Sequence, residues 1–282
     1  MFKLNPKNVL FFILFGIIVF AGLIFIGDYK ELIQLVSRIN FNIISILLFL
    51  SFGNYLIRFF KWQFLLNTLS IKTKFKDSFA IFFSGLSMTL VPGKLGDTIK
   101  SYFLHKKYNV NVRLSLPVIF VERLTDVFGL LILCFLGLSS LFLNLTFLLS
   151  IAAIFIFGVI ILLHERTFYF MVKIFSKIKF IKKYLTNVNL VHESLKKLLS
   201  IKNLFITIIM STLSWGLEAF SFYFLVHALG IDIPFITLVF IYAFSTLVGA
   251  LFFLPGGLGV TEGGLVSLLV LVGTPLSIAT FS

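Results

Sequence analysis

Glu122, Arg123 and Asp126 stand together in the middle of a run that is otherwise largely apolar, from Leu114 to about Leu141. Glu122 and Asp126 are four residues apart and share one helix face, while Arg123, three residues from Asp126, can pair with it within the helix. A charge at bilayer depth costs about 2.5–3.5 kcal/mol on insertion scales, so such residues need a polar interior or partners rather than lipid. The guanidinium fork matches phosphate oxygens. Arg123 is therefore a candidate contact for an anionic head group, with Glu122 and Asp126 orienting it. The same three residues also read as a self-satisfied ion cluster that clamps their helix to a neighbour, and the spacing leaves both readings open.

Two breaks supply the remaining candidates. Val91-Pro92-Gly93-Lys94-Leu95-Gly96-Asp97 and Leu254-Pro255-Gly256-Gly257-Leu258-Gly259-Val260 share the pattern apolar-Pro-Gly-x-Leu-Gly, and Pro92 and Pro255 lie 163 residues apart. A helix cannot run through Pro-Gly without losing backbone hydrogen bonds. In a bilayer such a break is tolerated where the freed groups face protein or a polar cavity, and a matched pair points to a transporter binding site. Gly93, Gly96, Gly256, Gly257 and Gly259 allow close backbone approach, so N–H groups there could hold an anion. Lys94 and Lys100 add positive charge at the first break. Asp97 and Glu262 each sit early in the limb after a break, where helix capping is the plainer reading. Glu218 is isolated near the centre of the run from about Leu204 to Leu229. It is read as protonated, paired across helices, or a proton-coupling group.

The elements that must position these residues are membrane helices. The 282 residues are 59% hydrophobic and 12% charged, roughly half the charge of a soluble domain. Apolar runs predict spans at about Val9–Gly27, Ile43–Leu66, Leu114–Leu141, Phe147–Leu163 and Leu204–Leu229. Asp28–Asn40 reads as interfacial, and Arg58, Lys61 and Trp62 as snorkelling and interfacial groups at a helix end. Residues 58–76 hold five basic side chains and no acid, and residues 164–202 hold nine and two acids. The basic stretches 58–76, 94–113 and 164–202 are accordingly expected in the cytoplasm, the last as a basic amphipathic segment on the inner leaflet. The apolar limb Ser78–Val91 is short for a crossing and the limb after it is polar, which predicts a re-entrant hairpin. With these orientations the units of about 43–141 and 204–282 run oppositely, an inverted-repeat plan. The expected fold is an all-α, polytopic transmembrane bundle, a single domain over 1–282, with two re-entrant Pro-Gly-broken hairpins. The repeat predicts a further helix beyond Ser282, equivalent to 114–141.

Several chemistries are excluded as expectations. Cys134 is the only cysteine, the four histidines show no metal-ligand spacing, and no metal or cofactor is expected. Gly256-Gly257-x-Gly259 follows no strand, so dinucleotide binding is not read from it. The net charge of +13 reads as topology and attraction to an anionic leaflet, not as nucleic-acid binding. No catalytic constellation is apparent, so the chain is not expected to be an enzyme.

Arg58-x-x-Lys61-Trp62, Pro92-Gly93-Lys94-Leu95-Gly96-Asp97-x-x-Lys100, Glu122-Arg123-x-x-Asp126 and Pro255-Gly256-Gly257-Leu258-Gly259-Val260-Thr261-Glu262-Gly263 stand in this order. Together they resemble the transmembrane region of lysylphosphatidylglycerol synthase, a flippase-like family of integral membrane proteins. The resemblance covers about residues 40–280. It implies a helical bundle with re-entrant hairpins and, from the bifunctional members, movement of aminoacylated phospholipid between leaflets. The family pattern more often has Arg and Glu where Lys94 and Asp97 stand, and Arg at Lys100. These exchanges keep charge and weaken bidentate phosphate recognition. The family's soluble aminoacyl-transferase domain has no counterpart in these residues, and its final helix would lie beyond them. The expected function is a cell-membrane flippase for anionic, aminoacylated or polyprenyl-linked lipid, working with a separate synthase or glycosyltransferase. The alternatives are an enzyme or accessory subunit acting on lipid-linked sugar, and a proton-coupled small-solute transporter.

Overall fold

The computed structural model describes residues 22, 39–87, 97–138, 145–175, 188–252 and 257–281. The expected first span apart from Gly22, most of the segment 28–40, the turn of the first break (91–96, with Gly93, Lys94 and Gly96) and residues 254–256 of the second (with Gly256) lie outside the described residues. So do Lys177, Lys179, Lys182 and Lys183.

Among the described residues every regular element is helical: α1 Phe41–Thr68, α2 Phe75–Ser87, α3 Thr98–Tyr108, α4 Val112–Gly137, α5 Leu145–Leu163, α6 Glu165–Phe175, α7 Val188–Leu198, α8 Ile201–Ala228, α9 Phe235–Leu251, α10 Val260–Leu271 and α11 Leu276–Phe281. Three of these, α1, α5 and α8, are long and apolar enough to cross a membrane. The 26-residue α4 is of similar length, about 39 Å, but carries Glu122, Arg123 and Asp126 at its centre. The limbs α2 (13 residues, about 20 Å) and α3 (11 residues, about 17 Å) are both shorter than the roughly 30 Å hydrocarbon core. The four expected spans that fall on described residues agree with the observed helices α1, α4, α5 and α8 to within a few residues at each end.

Local chemistry fixes the helix ends. The Asn40 side chain accepts from Ile43 N–H (3.0 Å) and starts α1. The α1 end closes with Ile71 N–H donating to Leu66 O and Ser70 N–H to Asn67 O, with Ser70 at φ 59°. The α8 end repeats this: Ile231 N–H donates to Val226 O, Gly230 N–H to His227 O, and Gly230 has φ 86°. Both are Schellman closures with a left-handed residue that satisfies orphan carbonyls. The two closures are 160 residues apart, as are the starts of α1 and α8 (Phe41, Ile201) and of α2 and α9 (Phe75, Phe235).

α4 is the central helix. It packs against α1, α3, α5, α7, α8 and α9 and buries most of its circumference. Gly129 lets α8 approach closely, because an added Cβ would lie 2.8 Å from Thr212 N and 2.9 Å from the Ser211 carbonyl carbon. Aromatic side chains fill the space among α1, α2 and α3: Phe59 meets Phe75, Phe79 and Phe82 edge-on, and Trp62, Phe59 and Phe82 are fully buried. On the outside, Phe49 and Phe52 of α1, Ile154 and Phe157 of α5 and Phe205 and Leu213 of α8 are exposed. In water such a surface would aggregate, and in a bilayer it is solvated. Within the stretch 164–202, the segment 188–198 forms α7 and docks on α4 and α5, burying His192, Leu195 and Leu198. The His192 ring stacks on Phe168 of α6 at 4.4 Å.

Candidate functional site

The polar centre of the molecule lies where α1, α3, α4 and α8 meet. α4 supplies Glu122, Arg123, Thr125 and Asp126, half way along its length. Lys61 of α1 is 0% exposed, and its ammonium donates to Asp126 Oδ1 (2.6 Å), Ser211 Oγ (2.7 Å) and Glu122 O (3.1 Å). Ser211 also donates to Asp126 Oδ1 (3.2 Å), so α8 shares this contact. Lys100 of α3 is buried with its ammonium 2.7 Å from Glu122 Oε2 and 4.8 Å from the centre of the Trp62 ring. Arg123 donates through Nε to Asp97 Oδ2 (2.8 Å) and through a terminal nitrogen to Asp126 Oδ2 (3.3 Å). Arg58 lies 3.9 Å from Asp126 Oδ2, and its guanidinium sits 5.3 Å from the centre of the Trp215 ring.

Energetics require this pairing. Seven charges facing lipid would cost about 20 kcal/mol on insertion scales, above the roughly 5–15 kcal/mol that holds a folded chain together. Each carboxylate therefore carries at least one cation within 4 Å: Asp126 holds Lys61, Arg123 and Arg58; Asp97 holds Arg123 and Lys100; Glu122 holds Lys100. Arg123 is the charged member with the most open side chain, 25% exposed against 9% or less for its neighbours. Glu122 Oε1, Arg58 Nε, Trp62 Nε1 and Trp215 Nε1 are buried without a hydrogen-bond partner among the described residues. Polar atoms of this kind are ones that a water or a ligand group would satisfy.

A second polar patch continues along the α1–α8 seam. Asn54 Nδ2 donates to Glu218 Oε1 (2.7 Å), while Asn54 Oδ1 is buried and unpartnered. Asn54 meets Glu218 and Lys61 meets Ser211, so α1 and α8 run antiparallel.

Several expectations from the sequence are corrected here. Arg58 and Lys61 do not snorkel, and Trp62 is not interfacial. Lys61 lies seven residues before the α1 end at Thr68, about 10 Å inside it, with acids of α4 opposite. Asp97 stands at the α3 N-cap position but makes no capping hydrogen bond, because its carboxylate turns to Arg123. Arg123 binds two acids, Asp97 as well as Asp126. Glu218 is paired across helices with Asn54. The capping reading of Glu262 holds: its Oε2 accepts from Gly259 N–H at 2.7 Å. Of the break glycines, Gly257 and Gly259 are described. Gly257 lies against Thr261 and Gly249, so its surroundings belong to α9 and α10. Arg58, Lys61 and Ser211 are the site residues that sequence reasoning missed. The signal was there for Lys61: a basic residue two turns inside an apolar helix with an acid pair elsewhere at bilayer depth.

Near the ends of α2 and α3, Asp77 accepts from Lys107 Nζ (2.6 Å) and from the Tyr108 hydroxyl. The Lys107 hydrogen bond holds the Asp77 carboxyl below the usual carboxylate range and raises Lys107 in turn.

Residues 13–282 match the family model described as the lysylphosphatidylglycerol synthase TM region. The chain is 30% identical over 188 residues to a UPF0104 membrane protein of Methanocaldococcus jannaschii, covering 65% of this chain and 78% of that one. It is 37% identical over 67 residues to a UPF0104 membrane protein of Methanothermobacter thermautotrophicus, covering 24% of this chain and 20% of that one. No solved structure matches.

Proposed function

The chain belongs to the lysylphosphatidylglycerol synthase transmembrane-region family, a multi-pass membrane protein, and from this premise we propose that it carries an anionic lipid head group across the bilayer. The observation that carries the reading is the four-cation cluster at the middle of α4, with Arg123 a quarter exposed at its rim. A phosphate arriving at Arg123 displaces one of the carboxylates that now share the guanidinium, and bidentate geometry favours that exchange. Acyl or isoprenyl tails remain among the exposed aromatic and aliphatic side chains of the helix exteriors. All three carboxylates are committed to cations rather than poised as an acid–base pair, which supports a carrier over an enzyme. The lipid classes in view are anionic glycerophospholipid, aminoacylated lipid and polyprenyl phosphate, supplied by a separate synthase or glycosyltransferase.

The same reading sets the topology. Lys72, Lys74 and Lys76 and the basic residues between 164 and 202 lie in the cytoplasm of a cell-membrane protein, so α1 runs inward and the antiparallel α8 outward. The limbs α2–α3 and α9–α10 are then re-entrant hairpins of an inverted pair.

The test is lipid translocation in reconstituted vesicles with head-group-labelled anionic lipids. The expected result is translocation above empty vesicles for at least one of the three classes, reduced about tenfold or more by Arg123→Ala. No translocation above empty vesicles for any of them overturns the reading.

A further inference from the structure

Among the described residues Glu218 is a carboxylate inside the bundle that this transport reading does not use. It occupies α8 at the position 160 residues on from Arg58 in α1, and the antiparallel packing of the two helices brings both onto one seam. Its carboxylate accepts one hydrogen bond, from Asn54, and makes no ion pair within 4 Å among the described residues. The groups around it are Asn54 and Arg58 from α1 and Tyr242 from α9, with Tyr55 of α1 near Tyr242 and Asp126 of α4 near Arg58. Three atoms along this seam, Arg58 Nε, Asn54 Oδ1 and Trp215 Nε1, are buried without hydrogen-bond partners among the described residues. Arg58 and Asn54 are each more than nine-tenths buried.

Charge balance gives Glu218 a use. The described cluster holds four cations, Arg58, Lys61, Lys100 and Arg123, against three carboxylates, Asp97, Glu122 and Asp126, a net charge of one positive. An ionised Glu218 brings the region to neutrality. A phosphodiester head group then leaves one uncompensated negative charge in a low-dielectric interior, and such a charge is removed by protonation rather than tolerated. The acid without an ion pair is the one best placed to take that proton. Asp97, Glu122 and Asp126 are each held by a cation within 3 Å.

Resting on the head-group reading, we propose that the anion and a proton bind together: each monoanionic head group entering at Arg123 is accompanied by one proton taken up on the Glu218 carboxylate. Arg58, between Asp126 and Glu218, carries the coupling. An ionised Glu218 attracts the Arg58 guanidinium away from Asp126 across a gap longer than an ion pair, and a neutral Glu218 leaves it to Asp126 and the incoming phosphate. Linkage is reciprocal, so lower pH tightens anion binding, and anion binding raises proton affinity by the same factor.

The molecule contains its own reporters. Its two tryptophans are Trp62 and Trp215, and each ring lies against a cation of the cluster. The experiment titrates the protein, in phosphatidylcholine nanodiscs, with bromine-labelled phosphatidylglycerol and reads tryptophan quenching. The phosphodiester does not titrate between about pH 5 and pH 8, so any slope in that window belongs to the protein. The expected result is affinity that rises as pH falls, approaching tenfold per unit, and a flat profile in Glu218→Gln. In weakly buffered samples of the unmodified protein, an indicator dye should report close to one proton taken up per lipid bound, a readout that needs no variant. Binding without proton uptake, or the same pH slope in Glu218→Gln, overturns the coupling and leaves the head-group site standing. No quenching at any pH overturns both.

Discussion

Residues 41–108 and 201–271 each run through one long helix and two shorter ones, α1–α2–α3 and α8–α9–α10, yet different forces hold the two stretches. In the first, α3 and α1 are both tied to α4 by ion pairs: Lys100 to Glu122 and Arg123 to Asp97 for α3, Lys61 to Asp126 for α1. In the second, α9 and α10 meet through small residues and hydroxyls. A Cβ added to Gly249 would lie 2.0 Å from Thr261 Oγ1, and one added to Gly264 would lie 3.0 Å from Ser245 Oγ. Opposite Arg58 stands Glu218, at the place of Lys61 stands Ser221, and at the place of Asp77 stands Thr237, each 160 residues on. One stretch is thus joined through charges and the other through close steric contact. The proposed head-group carrier would use the first for exchange and the second for rigidity.

Four experiments would break or sharpen that contrast. Asp126→Asn should have the largest effect. It strips the shared partner from Lys61, Arg58 and Arg123, and leaving buried cations unpaired costs about 3–5 kcal/mol. Thermal unfolding in detergent should show a large drop in melting temperature, and an unchanged one would mean the charges do not hold the first half. Gly249→Ala comes next, at about 1–3 kcal/mol for overpacking against Thr261. Thr261→Ala in the same chain should restore most of the loss, because the contact is steric. Glu262→Gln should cost about 1 kcal/mol or less, the value of a helix cap, with little change in lipid translocation. The smallest effect belongs to the exposed Asp77–Lys107 pair. The lowered Asp77 carboxyl adds stability that is present above its unfolded value and lost as pH falls through the folded one. Melting temperature followed through the acid range should therefore fall less steeply in Asp77→Asn, and added salt should blunt the difference.

What could be read without coordinates was whatever is decided within a few residues. The four spans on described residues followed from apolar length, and Glu262 from a cap that closes over three residues. Lys61 and Arg58 were misjudged because a basic residue near a helix end looks the same whether it reaches water or an acid. The deciding partner, Asp126, is 65 residues away. Asp97 failed for the related reason that a capping carboxylate and an ion-paired one share the same local sequence. Glu218 could be singled out as anomalous, but its partner Asn54 lies 164 residues back on another helix.

The separation between Lys61 and Asp126 has a consequence for how the protein is made. At about 5–20 residues per second, synthesis takes roughly 3–13 s to travel from Lys61 to its acid. For that interval α1 has left the ribosome with two cations and none of the carboxylates that later neutralise them. Released into lipid alone it would pay for both charges, so α1 should linger at the insertion machinery until α4 arrives, and the two should enter the bilayer as a pair.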